Sequence, residues 1–280
     1  MRKKKSEALI PAERHKKILD YLSHENILSI KKLTELLNVS HMTVRRDIAT
    51  LIEEGKVAPI RGGVTLSENG KPVPAPLKRS NRSNINIHLK KGIAEVAARF
   101  INDNSIIYLD PGTTTYELIP YIKRKKNLTV VSNDLIIVND LISSDFHLIH
   151  TGGEIDNQTM SSVGPIAISA VQNINFDIYF MSTPGWSLEY GVTSPDIERS
   201  QLKQAVLNNA FQTILMADST KYNSISLAKV CSLDQIDHIV TDQGLENAVA
   251  EKIKQTGIPL HLAAPNDGEI KETAPQADSM

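Results

Sequence analysis

The sequence predicts an α/β protein in two parts: a small helical head ending in a hairpin, and a larger body built on a mainly parallel sheet. Three observations predict it. The first 65 residues carry three short helical patterns followed by a glycine-containing hairpin. From about Leu89, short apolar runs alternate with helical patterns, as in a parallel sheet covered on both faces. Charge divides along the same line. Residues 1–91 hold 19 Lys and Arg against 9 Asp and Glu, a balance of +10, and the rest hold 12 against 23, a balance of −11, within a net charge of −1. A basic head on an acidic body points to a polyanionic partner for the head.

The elements follow in order. Pro11 suits a first helical turn, and His15, Ile18, Leu19 and Leu22 recur behind it at helical spacing. Ser29 is placed to cap a second helix with Leu33, Leu36 and Leu37 facing inward. Asn38-Val39-Ser40 breaks the pattern, and Ser40 caps a third helix whose inner face is Val44, Ile48, Leu51 and Ile52. Gly55 ends it, and Val57–Val64 reads as a hairpin through Gly62-Gly63. Residues 66–86 read as a linker stiffened by Pro72, Pro74 and Pro76, with polar residues such as Arg79 and Arg82 offering no core. The predicted division is a head over 1–65, this linker, an α/β domain over 87–264 and a disordered polar tail over 265–280.

In the body, strands are predicted at Ser105–Leu109, Leu128–Val131, Phe146–His150, Asp177–Met181, Thr213–Ala217, His238–Val240 and Pro259–Leu262. Helices are predicted around Ile93–Phe100 and at Thr114–Ile122, Pro165–Asn173, Asp196–Phe211 and Leu245–Thr256.

The head has the pattern of a helix-turn-helix. With Val44, Ile48 and Leu51 inward, the free face of the third helix carries His41, Met42, Arg45, Arg46 and Ala49 near its start. A recognition helix presents its first turns to base edges, and arginine forks match guanine or phosphate. Ser40, His41, Met42, Thr43, Arg45 and Arg46 are therefore the candidate DNA-reading residues. Lys31 and Lys32 on the second helix and Arg61 in the hairpin are candidate phosphate contacts. The run Arg2–Lys5 reads equally as a phosphate-following arm or a solvated terminus. Tyr21 is the head's only aromatic residue, which disfavours single-stranded RNA, whose readers display stacking rings.

In the body, Asp110-Pro111-Gly112-Thr113-Thr114-Thr115 follows a predicted strand and opens a helix, a place for an anionic ligand. Other strand ends carry Asn133, Thr151-Gly152-Gly153-Glu154, Ser182-Thr183-Pro184-Gly185 and Asp218-Ser219-Thr220-Lys221. In a parallel sheet these ends share one edge. The candidate ligand site is Asp110, Gly112, Thr113, Thr114, Thr115, Asn133, Gly152, Gly153, Ser182 and Lys221. Trp186 reads as a sugar-stacking or a packing residue, and Cys231 as a core cysteine.

Glu13-Arg14-His15-Lys16-Lys17-Ile18-Leu19, Leu33-Thr34-Glu35-Leu36-Leu37-Asn38-Val39-Ser40 and Thr43-Val44-Arg45-Arg46-Asp47-Ile48, with Leu51, Gly55 and Gly62-Gly63, resemble the head of the DeoR-type bacterial repressors. The Asp110–Thr114 block, Asn133, Gly152-Gly153 and Ala217–Lys221 resemble that family's sensor domain. The resemblance implies a fold like the ribose-phosphate isomerase and CoA-transferase group. It also implies a phosphorylated sugar or related metabolite as effector, lined by Gly112, Thr113, Thr114, Asn133, Gly152 and Lys221. The chain departs from the family at Pro59 and Arg61 in the wing, at Ser182–Trp186, and at Gln201 before Lys203.

The expectation is a cytoplasmic, operator-binding repressor of a carbohydrate operon, a homodimer or homotetramer, with no cofactor, metal or catalytic residue. The rival is an isomerase-like enzyme using Asp110, Glu154 or Asp218 as its base. No apolar run reaches the roughly 18 residues of a membrane span, and no apolar stretch of a signal peptide follows the first charges.

Overall fold

The structure is a computed structural model that describes residues 10–24, 28–53, 56–60, 63–66 and 79–267. Internal contacts group the chain into two compact units, Met1–Pro76 with Pro184–Ser200 and Lys221–Ser232, and Leu77–Thr183 with Gln201–Thr220 and Leu233–Met280.

In the first unit, the head runs α1 (Pro11–His24), β1 (Leu28–Ser29), α2 (Ile30–Leu37), α3 (His41–Glu53), β2 (Val57–Ile60) and β3 (Gly63–Leu66). Ser29 caps α2 as its position predicts, its Oγ accepting from the Lys32 amide at 3.1 Å. Asn38 ends α2 in the left-handed region, with φ 52°. The three strands form an antiparallel sheet in the order β1-β3-β2, with Pro59 opposite Val64. Ile18, Leu22, Leu28, Leu33, Leu37, Val44, Ile48, Leu51, Val57 and Val64 make one buried cluster. Leu36 and Ile52, expected inside, are 41% and 37% exposed. Each follows or precedes a core residue by one position, which turns it about 100° off the inner face. Gly55, Gly62, Pro72, Pro74, Pro76 and Arg2–Lys5 lie outside the described residues.

In the second unit, α4 (Arg79–Ser83) and α5 (Ile87–Ala97) precede β4 (Ile106–Leu109), α6 (Thr113–Tyr116), α7 (Ile119–Ile122), β5 (Thr129–Ser132), α8 (Leu135–Leu141), β6 (His147–His150), β7 (Glu154–Asp156), β8 (Ser161–Val163), α9 (Pro165–Val171) and β9 (Phe176–Ser182). The short strands β10 (Gly185–Ser187) and β11 (Gly191–Ser194) belong to the first unit, and α10 (Ile197–Leu207) follows them. Then come β12 (Ala210–Met216), β13 (Ala228–Cys231, again in the first unit), β14 (His238–Asp242), α11 (Asn247–Gln255) and β15 (Leu260–Ala263).

The seven predicted strands are the seven strands of one sheet, ordered β15-β14-β12-β9-β4-β5-β6 and parallel throughout. Its central strands are buried on consecutive residues, Ile107-Tyr108-Leu109, Tyr179-Phe180-Met181 and Ile214-Leu215-Met216, so both faces are covered. Helix α5 packs across β12, β14 and β15. Gly92 allows this approach, because a Cβ there would stand 2.0 Å from the Ala264 carbonyl oxygen.

Several elements differ from expectation. The helix predicted over Thr114–Ile122 is two short ones, α7 opening with a proline in its first turn. Helix α10 stops at Leu207, and exposed Phe211 belongs to β12. Helix α8, the β7–β8 hairpin and the three-stranded sheet β10-β11-β13 are additions to the expected elements. Arg79–Ser83, read as linker, is helical with Arg79 buried. Asn266, read as tail, donates from its amide to the His88 carbonyl at 3.0 Å and from Nδ2 to Glu95 at 2.7 Å. Residues 268–280 lie outside the described residues.

Candidate DNA interface and ligand site

Helix α3 starts on Ser40, whose Oγ accepts from the Thr43 amide at 3.1 Å and lies 2.8 Å from the Thr43 hydroxyl. Val44, Ile48 and Leu51 hold one side of α3 in the head core. His41, Met42, Arg45, Arg46 and Ala49 are exposed, Met42 by 71%. An exposed methionine beside two exposed arginines suits a surface that meets base edges and thymine methyl groups. Neither arginine has an ion-pair partner among the described residues. Lys32 is exposed on α2. Arg61 and the Lys31 side chain lie outside the described residues.

Asp47, next to these arginines in sequence, faces the other way. Its carboxylate is buried and accepts from Arg14 Nε at 2.6 Å and Nη2 at 2.8 Å, with His15 Nε2 at 3.3 Å. A bidentate pair from α1 thus sets the rotation of α3 and decides which side the arginines occupy. Sequence reasoning missed this role, because an Arg-Arg-Asp run reads as one solvated face. Arg46→Ala is expected to lower affinity for a specific duplex by roughly 1–3 kcal/mol. Titration against a duplex selected by the wild-type chain checks it, and unchanged affinity in a folded variant would remove Arg46 from the interface.

The candidate ligand site lies where the sheet reverses its winding. The chain enters at β4, runs outward through β5 and β6, then returns to β9 on the other side of β4. The crevice beyond the carboxyl ends of β4 and β9 is the topological switch point, where open α/β sheets bind ligands. The Asp110–Thr115 loop leaves β4 there, against Ser182 at the end of β9. Gly112 is required by this contact, since a Cβ would stand 2.6 Å from Ser182 Oγ.

Two buried carboxylates organise the loop. Asp110 Oδ2 accepts from the Ser182 amide at 2.9 Å, the Ser182 hydroxyl at 3.2 Å and Lys203 Nζ, which also donates to the Ser182 carbonyl at 2.8 Å. Asp134 caps α8 through Oδ1, accepting from the Ile136 and Ile137 amides at 2.9 and 3.1 Å. Its Oδ2 accepts from the Gly112 amide at 3.3 Å and from Arg79 Nη1. Burial raises the Asp134 pKa, while Arg79 and the two α8 amides offset part of that rise.

The remaining predicted residues divide. Thr113 and Thr114 are at the loop and nearly buried. The Thr115 hydroxyl is spent on the Asp110 and Gly112 carbonyls, at 2.7 and 3.1 Å. Asn133 accepts from the Tyr108 hydroxyl and donates to the Ser162 carbonyl, both at 2.7 Å. Gly152, with φ +68°, donates to His150 Nδ1 at 3.1 Å. That bond needs an unprotonated nitrogen, and burial lowers the His150 pKa accordingly. Gly153, with φ +110°, is held by close approach, a Cβ there standing 2.5 Å from the Val163 carbonyl. Lys221 closes the 3₁₀ turn Ser219–Lys221 and belongs to the first unit. Trp186 is fully buried in β10, edge-on to Tyr222 at 5.0 Å, a packing residue. Cys231 is buried in β13. Sequence reasoning missed Asp134 and Arg79 entirely. The Asp-after-Asn step following β5, poised to cap a helix, was the available signal for Asp134.

Residues 14–69 match the DeoR-like helix-turn-helix domain, and residues 85–243 match the DeoR C-terminal sensor domain. The chain belongs to the DeoR family. Among its relatives, an uncharacterized HTH-type transcriptional regulator of Haemophilus influenzae is 37% identical over 91% of this chain and 98% of its own length. The HTH-type transcriptional regulator IolR of Bacillus subtilis is 31% identical over 87% and 96%. An Escherichia coli O157:H7 protein, described as a proposed aga operon transcriptional repressor, is 27% identical over 90% and 93%. This DeoR-family chain is therefore a DNA-binding helix-turn-helix transcription regulator. Two solved structures are distant likenesses. A ribose 5-phosphate isomerase of Plasmodium falciparum has a TM-score of 0.36 at 12% identity, over 49% of this chain and 53% of that one. The Pyrococcus horikoshii translation initiation factor eIF-2B has 0.41 at 12%, over 84% and 90%. Neither likeness bears on the site. Among the described residues, no helix is long and apolar enough to cross a membrane.

Proposed function

We propose that the chain represses a carbohydrate-metabolism operon in the cytoplasm and leaves its operator when a phosphorylated sugar or related metabolite binds the body. The observation that carries this reading is the Asp110–Thr115 loop at the switch point between β4 and β9, in a chain whose other end reads DNA. A relative named as a repressor of the aga operon supports an operon as the target. The sites are among those named from the sequence, with Ser40 to Arg46 on DNA and Gly112, Thr113 and Thr114 on the effector. The head extends over 1–65 and the sensor over 87–264, with α4 of the intervening stretch joined to the sensor through Arg79. The working form is a dimer or tetramer, which doubles the half-site each head reads.

Sensing takes place without turnover. An isomerase needs a free carboxylate base at the bound carbon; of the three candidates, Asp110 Oδ2 already holds Lys203 and two donors of Ser182, Asp218 Oδ1 takes the Thr220 amide and hydroxyl, and Glu154 is exposed on β7. Effector binding must favour one arrangement of the protein over another, because equal binding shifts nothing. The expected coupling is roughly 1–3 kcal/mol, so ligand weakens operator affinity about 5- to 150-fold. The test is a titration of phosphorylated sugars into complexes with a duplex that the wild-type chain selects from a random pool. Thr113→Ala and Thr114→Ala are expected to bind this duplex normally and to need far more ligand for release. If both respond at wild-type concentrations, the effector binds elsewhere. If ribose 5-phosphate is converted to ribulose 5-phosphate, the sensing reading falls.

A further inference from the structure

Arg79 lies inside the segment read as linker, at the start of α4, and its position is over-determined. Its amide donates to the Gln158 carbonyl at 3.0 Å, and Ser83 Oγ donates back to its carbonyl at 2.9 Å. Its guanidinium carbon lies 5.6 Å from the centre of the Tyr116 ring, at the end of α6. Its Nη1 reaches the same Asp134 oxygen that takes the Gly112 amide. The side chain is only 9% exposed, and that of Asp134 is fully buried. A guanidinium has five N–H donors. Among the described residues only Nη1 is engaged, leaving Nε and Nη2 without partners beside the ligand loop.

We propose that Arg79 is a direct ligand of the effector's phosphate, its Nε and Nη2 turned to the phosphate oxygens while Nη1 stays on Asp134. This rests on the effector reading of the Gly112–Thr114 loop. The charge balance supports it. Lys203 is neutralised by Asp110, and the Gly112 amide is already given to Asp134. The spare donors of Arg79 are the fork-shaped cationic donors left at this loop among the described residues, and a fork matches two phosphate oxygens at once. Asp134 aims the fork, and Tyr116 stacks against it. The contact also lies on the stretch read as linker, which α4 joins to the sensor through Arg79. Sequence reading missed it because an isolated arginine in a polar stretch looks like a solvated one.

The test is calorimetric titration of the full-length protein with inorganic phosphate and with glycolate, a carboxylate control. Arg79→Lys keeps the charge and loses the fork. Arg79→Gln with Asp134→Asn removes both charges, so no unpaired carboxylate threatens folding. Thermal melting verifies that each variant is folded. Both are expected to bind phosphate about tenfold more weakly, which is about 1.4 kcal/mol, with glycolate binding weaker than phosphate in the wild type. Wild-type phosphate affinity in both, alongside a loss in Thr113→Ala, would overturn the role of Arg79 and leave the loop reading standing. If none of the three variants changes phosphate affinity, or the wild type binds none, the loop is not an anion site and the effector reading falls with it.

Discussion

Lys203→Met is expected to destabilise the sensor domain by roughly 3–5 kcal/mol, the usual cost of leaving one member of a buried ion pair alone. Lys203 and Asp110 are both nearly inaccessible to water, and the Asp110 oxygen that holds Nζ also holds the Ser182 amide and hydroxyl. Methionine matches the length of lysine and fills much of its volume. What is lost is therefore the cation and the Nζ bond to the Ser182 carbonyl, not the packing. The stranded carboxylate then has two neutral donors in place of a charge. Adding Asp110→Asn should restore a large part of the stability, because removing both charges of a buried pair is often close to neutral. Denaturant unfolding, followed by the far-ultraviolet signal of the sheet domain, measures all three proteins. A Lys203→Met variant within about 0.5 kcal/mol of wild type, the range of unremarkable surface changes, would mean that Lys203 is not needed to hold Asp110.

Asp47→Ala is expected to cost the head about 3 kcal/mol or more and to abolish DNA binding at temperatures where the wild type binds. The carboxylate is buried and takes both prongs of Arg14, so its removal strips a guanidinium of 12% side-chain exposure of this bidentate contact. A domain of some fifty residues has little stability to spare. Arg14→Met combined with Asp47→Leu tests the cause, since an apolar pair should recover folding and, with it, the orientation of α3. Thermal melting of the chain with duplex binding at each temperature measures both quantities. An Asp47→Ala variant that melts and binds as wild type would show that α3 is aligned by its apolar contacts alone.

Much of the fold was legible in the sequence where local rules suffice. The period of Val44, Ile48 and Leu51, the caps Ser29 and Ser40, and the seven apolar runs all depend on residues near one another in the chain. Their positions in the structure follow directly. The same locality placed Gly112 and the two threonines after β4. Where local pattern failed, the element was short or its partner distant. Helix α8 opens on the unbroken apolar run Leu135-Ile136-Ile137-Val138, which shows no helical period, and the β7–β8 hairpin pairs three residues with three.

By itself the sequence determined that the chain has a DNA-reading head and a parallel α/β body with polar loops along one strand edge. Alternating apolar periods and the side-chain capping of turns are properties of adjacent residues. Only the tertiary structure decided which polar residues are free for a ligand and which are spent on the fold. Thr115 and Asn133 were expected in the site, yet their hydrogen bonds go to carbonyls and a tyrosine. Arg79 was expected in solvent, yet it meets a carboxylate 55 residues away. A buried charge must find its counter-charge wherever the chain brings one. That pairing is set by the crossing of β4, β5 and β9, and no spacing along the sequence records it.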